Sequence, residues 1–592
     1  MASNINEKAN KQRIAHRISV MAAAISLAFA FAGVSVARAA AAESTASSGD
    51  AVDAATSVAI AGNHPAEAAD FSAGPEIAST QTLRMEVILA LHDRAGLDAL
   101  IAAQQDRSSP QYHQWLTPAE FSARFGPTQS DLAAVRSWLD GRGFTVESQS
   151  LALRKVVFSG PAASAEKAFG VKIHTDSTQT HYTNLNDPIV PKSVASIVAS
   201  IRGLSNLAHA QPAVQLSPDF STVPDTKISK LGTHFGPNDL YTFYDEIPPS
   251  SSNNDGSGTD CIALLEDSDF DNGSVNAFDS EFGVVFFSAT RVLADGSDPG
   301  DSGNDAIEAL LDVEYAHAAA PGVQIVTYIG DNSESGSGSG VLDAGMRAVS
   351  DDACGAISIS FSFCGQPDTF YTSEIDPIAA QAASQGQAVF ASSGDFGAAG
   401  YVLKGNVCVA GSSHNVSELS ADPNITAVGG TQFTPHYKKG VDVGNARESV
   451  WKDKTGAGGG GESAVFQKPS YQSGVISTDT NRDVPDVALV ASPIHPGFFL
   501  GYKGGIACCI GGTSLSAPYW AGIAQLAAQK AGMSRVGPLN PILYSIAGFR
   551  DVSRGNNTFH HVTGFKATAG YDRSTGLGTP DINNLTSAIA AH

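Results

Sequence analysis

The stretch Gly511-Gly512-Thr513-Ser514-Leu515-Ser516-Ala517-Pro518 sets a serine after a glycine turn and at the head of the apolar helical run YWAGIAQLAAQKAG. A hydroxyl in that place is presented at a helix N-terminus, where backbone N–H groups favour developing negative charge. An isolated Gly-Thr-Ser is also an ordinary helix cap, so the string alone does not establish a nucleophile. A serine nucleophile needs a base beside it. Glu308 and Asp312, in Glu308-Ala-Leu-Leu-Asp312-Val-Glu314, are spaced by four and share one helix face. Two carboxylates so close cannot both ionise easily, so one pKa rises, the pair shares a proton and one member can accept the proton of a hydroxyl. The plain alternative is a solvated acidic helix face, the reading given to Glu314. A third acid, Asp395, ends the strand-like run Val389-Phe390-Ala391-Ser392-Ser393-Gly394-Asp395-Phe396-Gly397, where an aspartate bracing a turn is the simple reading.

The elements around these groups alternate in type. From residue 231 onward CIALLE, VQIVTYIG, AISISFSF and QAVFASSGD read as apolar strands, with helical segments near AIEALLDVEYAHAA, VLDAGMRAVS and EIDPIAAQAAS between them. Such alternation predicts an α/β domain with a parallel sheet and helices on both faces, active groups lying outside the carboxyl ends of the strands. Residues 81–212 predict a separate small α+β domain, with strand-like TLRMEVILAL and AFGVKIHTD and helical LDALIAAQQ and SDLAAVRSWL. Residues 213–230 read as an exposed processing linker and residues 40–80, rich in Ala, Ser, Gly and Glu, as a flexible spacer.

The 592 residues exceed what one core normally organises. Residues 1–39, with Lys8, Lys11, Arg13 and Arg17, an apolar run and Ala37-Arg38-Ala39, predict a secretory signal. The expected location is therefore secreted and extracellular, or periplasmic, with no membrane contact after signal cleavage. A net charge of -23 opposes binding to nucleic acid or anionic membranes. Six cysteines allow 15 pairings and leave the disulfide map open.

The full Gly-Thr-Ser-x-Ser-Ala-Pro string resembles the nucleophile motif of the subtilisin-like clan, yet the histidine helix of that clan is absent: none of the 15 histidines precedes Gly-Thr. A lipase-type serine site also fails, because Ser514 has no Gly-x-Ser-x-Gly elbow. Glu308 and Asp312 stand in the comparable place, and Asp395 stands where subtilisin-like enzymes carry an oxyanion-binding asparagine. Together with SSPQYHQWLTPAEFSARFGP, TAVGGTQF, ESVWKD, PSYQ and RDVPDVAL, these residues resemble the sedolisin, or serine-carboxyl peptidase, family, of kumamolisin type with an activation propeptide.

The resemblance implies a subtilisin-like parallel sheet preceded by a ferredoxin-like prodomain. It implies a secreted acid endopeptidase made as an autoprocessed zymogen, with Ser514, Glu308 and Asp312 as the catalytic set and Asp395 as an oxyanion-hole acid. Glu266 corresponds to a glutamate that in some members bonds the first catalytic acid. One structural calcium ion is implied, held by carboxylates of Asp551 and Asp572 and carbonyls of Val552, Thr568 and Gly570, hard oxygens that suit the ion. Implied partners are protein or peptide substrates and the chain's own prodomain as intramolecular inhibitor, with the enzyme a monomer. Two cleft segments depart from the family pattern, Ser358-Ile359-Ser360-Phe361-Ser362 and Gly459-Gly460-Gly461-Glu462-Ser463. If Asp395 must be protonated while the carboxyl pair is partly ionised, activity is expected at roughly pH 3 to 5.

Overall fold

The computed structural model describes residues 56–592, apart from 208–209, 224–233, 248–253, 302, 332–339, 405–406, 434–436, 439–440, 443–446 and 477. The expected signal peptide, the spacer up to residue 55 and linker residues 224–230 lie outside the described residues.

The N-terminal unit runs β1 (Thr82–Leu89), α1 (Arg94–Gln105), α2 (Pro118–Phe125), α3 (Gln129–Gly141), β2 (Thr145–Ser150), β3 (Lys155–Pro161), α4 (Ala162–Phe169) and β4 (Val198–Arg202). Its antiparallel sheet has the order β2-β3-β1-β4. Thr117 and Thr128 start α2 and α3 with capping boxes closed by Glu120 and Asp131, which satisfies the first free N–H groups of each helix. Strand alternation divides β1 between two environments. Leu83, Met85, Val87 and Leu89 join the unit's own core with Val135, Leu139 and Phe158. Ile88 instead joins an apolar cluster of the C-terminal unit, and Glu86 on the same face pairs with Lys155 and Arg202, which both also pair with Asp343 of that unit.

Part of the expected spacer is structured. Ser57–Ala59 pairs antiparallel with Ile189–Pro191, and Phe71 and Ile77 are buried. A two-stranded ladder of this kind is held by backbone hydrogen bonds, so the Ala-rich composition of this stretch did not announce it. The expected linker is likewise paired where it is described, Gln215–Val223 lying antiparallel to Gly505–Gly511.

The C-terminal unit is built on β5 (Ala210–Pro212), β6 (Gln215–Val223), β7 (Cys261–Glu266), β8 (Thr290–Leu293), α5 (Gly303–Ala319), β9 (Ile325–Ile329), α6 (Gly340–Asp351), β10 (Cys354–Ile359), β11 (Phe361–Phe363), α7 (Asp376–Ser384), β12 (Ala388–Ser392), β13 (Ile425–Gln432), β14 (Ser449–Val450), β15 (Val487–Val490), β16 (Gly497–Tyr502), β17 (Gly505–Gly511), α8 (Thr513–Ala531) and α9 (Ile582–Ala591). Eight described strands form the main sheet, in the order β8-β9-β7-β10-β12-β13-β14 with β15 also on β13. All pair in parallel except the edge strand β14. Every residue of β7 is buried. Ile262 and Leu264 point into the cluster with α5 and α8, and Cys261, Ala263 and Leu265 into the cluster with α6 and α7. Helices therefore cover both faces, which is why these strands read as unbroken apolar runs. Disulfides join Cys261 to Cys354, Cys364 to Cys408 and Cys508 to Cys509.

Candidate active site

Ser514 enters α8 straight after Gly512, whose φ of 121° is a conformation that side-chain-bearing residues rarely adopt. A Cβ there would stand 2.5 Å from the carbonyl oxygen of Ala213 and 2.8 Å from Oδ2 of Asp395. Glycine is required because three chain segments converge at this point. Ser514 Oγ donates to Glu308 Oε2 at 3.0 Å. Asp312, one turn further along α5, accepts from Ser360 Oγ at 2.9 Å, and Asp312 is within hydrogen-bonding reach of both Glu308 and Glu266.

Glu308, Asp312 and Glu266 are fully buried. No N–H or hydroxyl donor reaches Glu308 Oε1, Asp312 Oδ2 or either oxygen of Glu266. Contacts among three such carboxyls require protons held between them. Burial first, and then the charge of Asp312, pushes Glu308 well above the usual carboxylate range; burial likewise raises Asp312, against the hydrogen bond from Ser360. Burial and the neighbouring Asp312 and Glu308 raise Glu266. A cluster of this kind gives up its first proton much more easily than its second, so it can hold one negative charge and relay one proton.

Asp395 lies at the turn after β12 and is fully buried. Its Oδ1 accepts the Thr513 N–H at 2.9 Å and the Thr513 hydroxyl at 2.7 Å, and the Gln215 amide approaches the same carboxyl. Oδ2 has no partner of good geometry. Burial pushes this carboxyl up to about 7. It is thus an acid able to donate one hydrogen bond, aimed at the space beside the serine.

All four sequence-expected residues of the catalytic set meet here, and Glu266 joins them. Glu314 does not lie on a solvated face: it is fully buried and accepts the Gly501 N–H at 2.9 Å. The apolar residues on both sides of it, Ile307 to Ala319 being buried without a break, carried the signal that α5 is internal. Ser360 and Gln215 were not expected as partners of the acids. The unusual Ser358–Ser362 strand end borders the cleft through Ser360, whereas Glu462 of the second departing segment turns away to Arg573.

A family model described as Pro-kumamolisin, activation domain, matches residues 69–207. Over 535 residues the chain is 30% identical to kumamolisin of Bacillus sp. (strain MN-32), covering 86% of this chain and 91% of that protein. The chain belongs to the sedolisin family of serine-carboxyl peptidases. Sedolisin of Pseudomonas sp. (strain 101) is also 30% identical, over 89% of this chain and 91% of its own length. A solved structure of Pseudomonas sedolisin, complexed with two molecules of pseudo-iodotyrostatin, matches with a TM-score of 0.52 and 29% identity, over 61% of this chain and 99% of the solved one. This sedolisin-family chain is therefore a serine-type peptidase on a subtilisin-like fold with an N-terminal activation domain.

The loops expected to hold calcium also approach one another. Asp551 Oδ1 accepts the Gly570 N–H at 3.1 Å, and Asp572 Oδ2 accepts the Thr568 N–H at 3.0 Å. Asp551 is exposed, whereas Asp572 is buried and raised by that burial. Two carboxylates and loop carbonyls in one place are a donor set that fits a hard cation. Among the described residues no helix is long and apolar enough to cross a membrane.

Proposed function

We propose that the chain is a secreted, acid-acting serine-carboxyl endopeptidase, made as a zymogen that processes itself. The observation that carries this reading is the contact of Ser514 Oγ with Glu308 inside a buried group of three carboxyls. Glu308, with one negative charge shared across Glu266 and Asp312, takes the proton of Ser514 as the hydroxyl attacks a peptide carbonyl. Protonated Asp395 donates to the oxygen that becomes negative. Glu308 then returns its proton to the leaving nitrogen, and water releases the acyl group by the reverse path. Ser360 steadies Asp312 in the charge-bearing orientation.

The chemistry needs an ionised carboxylate and a protonated one together, which confines it to acid. Because burial takes Asp395 to about 7, the upper edge of that window lies above the value of ~5 expected for lightly shifted carboxyls. Asp551, Asp572 and the carbonyls of Val552, Thr568 and Gly570 would hold one calcium ion, which ties the C-terminal loops together and enters no chemical step. Hydrolysis of a denatured protein by the purified chain between pH 3 and 7 tests the reading: loss of that activity in Glu308→Gln supports it, and Glu308→Gln retaining wild-type rates overturns it.

A further inference from the structure

Residues 210–216 pass through the active site in extended form. Upstream of the serine, β5 pairs antiparallel with β11, Pro212 opposite Phe361 and Ala210 opposite Phe363. The Ala213 N–H donates to the Ser360 carbonyl at 3.0 Å. Downstream, β6 pairs antiparallel with β17, Gln215 opposite Gly511. Between these two ladders lie Ala213 and Val214, buried at 0% and 9% exposure.

Two contacts single out one bond. The Ala213 carbonyl oxygen and Asp395 Oδ2 converge on the point that a side chain at residue 512 would fill, and Oδ2 is the acid's oxygen without a well-formed bond. The Val214 N–H lies close enough to the carboxyl of Glu308 to favour its charged form, and this is the same carboxyl that accepts from Ser514 Oγ. A group that is to take a proton from the nucleophile and give it to the leaving nitrogen has to touch both.

We propose that the chain first cuts itself between Ala213 and Val214. The inference rests on the catalytic roles proposed above. Ser514 Oγ attacks the Ala213 carbonyl carbon while its proton passes to Glu308, and the oxygen turns negative against Asp395. Glu308 protonates the Val214 nitrogen, the C–N bond breaks, and Val214 becomes a new amino terminus. Water then hydrolyses the Ala213–Ser514 ester, regenerating the serine and leaving Ala213 with a free carboxylate. Strand β6 stays paired with β17 in the peptidase, whereas β5 departs with the activation domain. A small residue before the cut and a β-branched one after it are thereby accepted in the cleft.

The test follows full-length precursor after a shift to acid, at several dilutions, with timed quenching and mass and N-terminal analysis of the first fragments. Expected are a fragment ending at Ala213 and one beginning at Val214, formed at a rate independent of concentration. Val214→Pro removes the N–H that lies close to Glu308 and places a tertiary amide there; it is expected to slow this cut by at least about 100-fold, the contribution of a positioned acid or base. A first concentration-independent cut at any other bond, or no self-cleavage at all, overturns the proposal without depending on how the variant folds. Ser514→Ala separates the two claims. If that variant still cleaves itself, the catalytic assignment fails; if only wild type cleaves but elsewhere, the assignment stands and this bond does not.

Discussion

Ser360 Oγ donates to Asp312 Oδ1 at 2.9 Å and lies 3.3 Å from the Ser514 carbonyl oxygen, tying the buried acid to the backbone of the serine. A donor to a carboxylate favours its ionised form, so Ser360 holds Asp312 lower than burial alone would. Ser360→Ala should raise the acid limb of kcat/KM by about one to two pH units, since a hydrogen bond to a charged group contributes roughly 1.5–3 kcal/mol. Ser360→Thr, which keeps the hydroxyl, should restore the limb. An acid limb that does not move in Ser360→Ala would mean the serine only fills space.

In the proposed mechanism the alkaline limb belongs to Asp395. Burial pushes Asp395 up to about 7 with the cleft filled by the chain's own strand, so activity should fall as pH rises past that value and the acid ionises against the developing oxyanion. Asp395→Asn donates at every pH, so the alkaline limb should move up while the acid limb stays, even with a lower peak rate. Profiles of kcat/KM against pH for the two proteins decide this; an alkaline limb unmoved in the variant would remove Asp395 from the oxyanion site.

Between the two units lies a buried ionic group: Glu86, Lys155 and Arg202 from the activation domain with Asp343 and Glu374 from the peptidase. Burial alone would raise Glu86, but Lys155 and Arg202 outweigh it and hold Glu86 below its ordinary 4.5. A lowered carboxyl contributes stability above its unfolded pKa and loses it as pH falls through the folded one. Asp343, raised by burial to about 6, acts oppositely and takes up its proton in the docked state on the way down to ~4. Docking should therefore weaken only below about pH 4.5. Glu86→Gln in a Ser514→Ala background should cost roughly 1.5–3 kcal/mol near pH 6, the contribution of a hydrogen bond between charged groups, because Lys155 keeps Asp343 at 2.7 Å. Melting temperatures against pH check this, with the gap between the parent and Glu86→Gln shrinking from pH 5 toward 3. A gap that widens on acidification contradicts it.

Calcium, if held by Asp551 and Asp572, binds the folded chain alone and stabilises by mass action, about 2.7 kcal/mol at a hundredfold excess over its dissociation constant. Chelator at pH 6 should lower the melting temperature by several degrees, and Asp551→Ala should do the same and remove the response to chelator. A melting temperature indifferent to chelator removes the ion from the account.

The sequence pointed to the four residues that the fold brings together because each sits in a short, locally decided setting: Glu308 and Asp312 by helical spacing, Ser514 by a glycine turn into a helix, Asp395 by a strand running into glycine. The parallel sheet was equally legible, its strands being apolar on both faces. Contacts made by backbone were hidden. The short strand Ser57–Ala59 and the passage of residues 210–216 through the cleft depend on pairing with strands far along the chain, and nothing in AQPAVQL marks which partner it meets. The contact of Ser360 was hidden for a related reason, since only the fold brings the residue that follows β10 against Asp312 on α5.

The nucleophilic role proposed for Ser514 is measured directly by kcat/KM for a peptide substrate at the pH optimum with wild type and with Ser514→Ala of equal melting temperature. The prodomain must be removed from both by an added protease, so that the cleft is open in each. A loss of at least about 10⁴-fold is expected, as for removal of a nucleophile that acts as a unit with its base. A Ser514→Ala enzyme within tenfold of wild type would contradict the account.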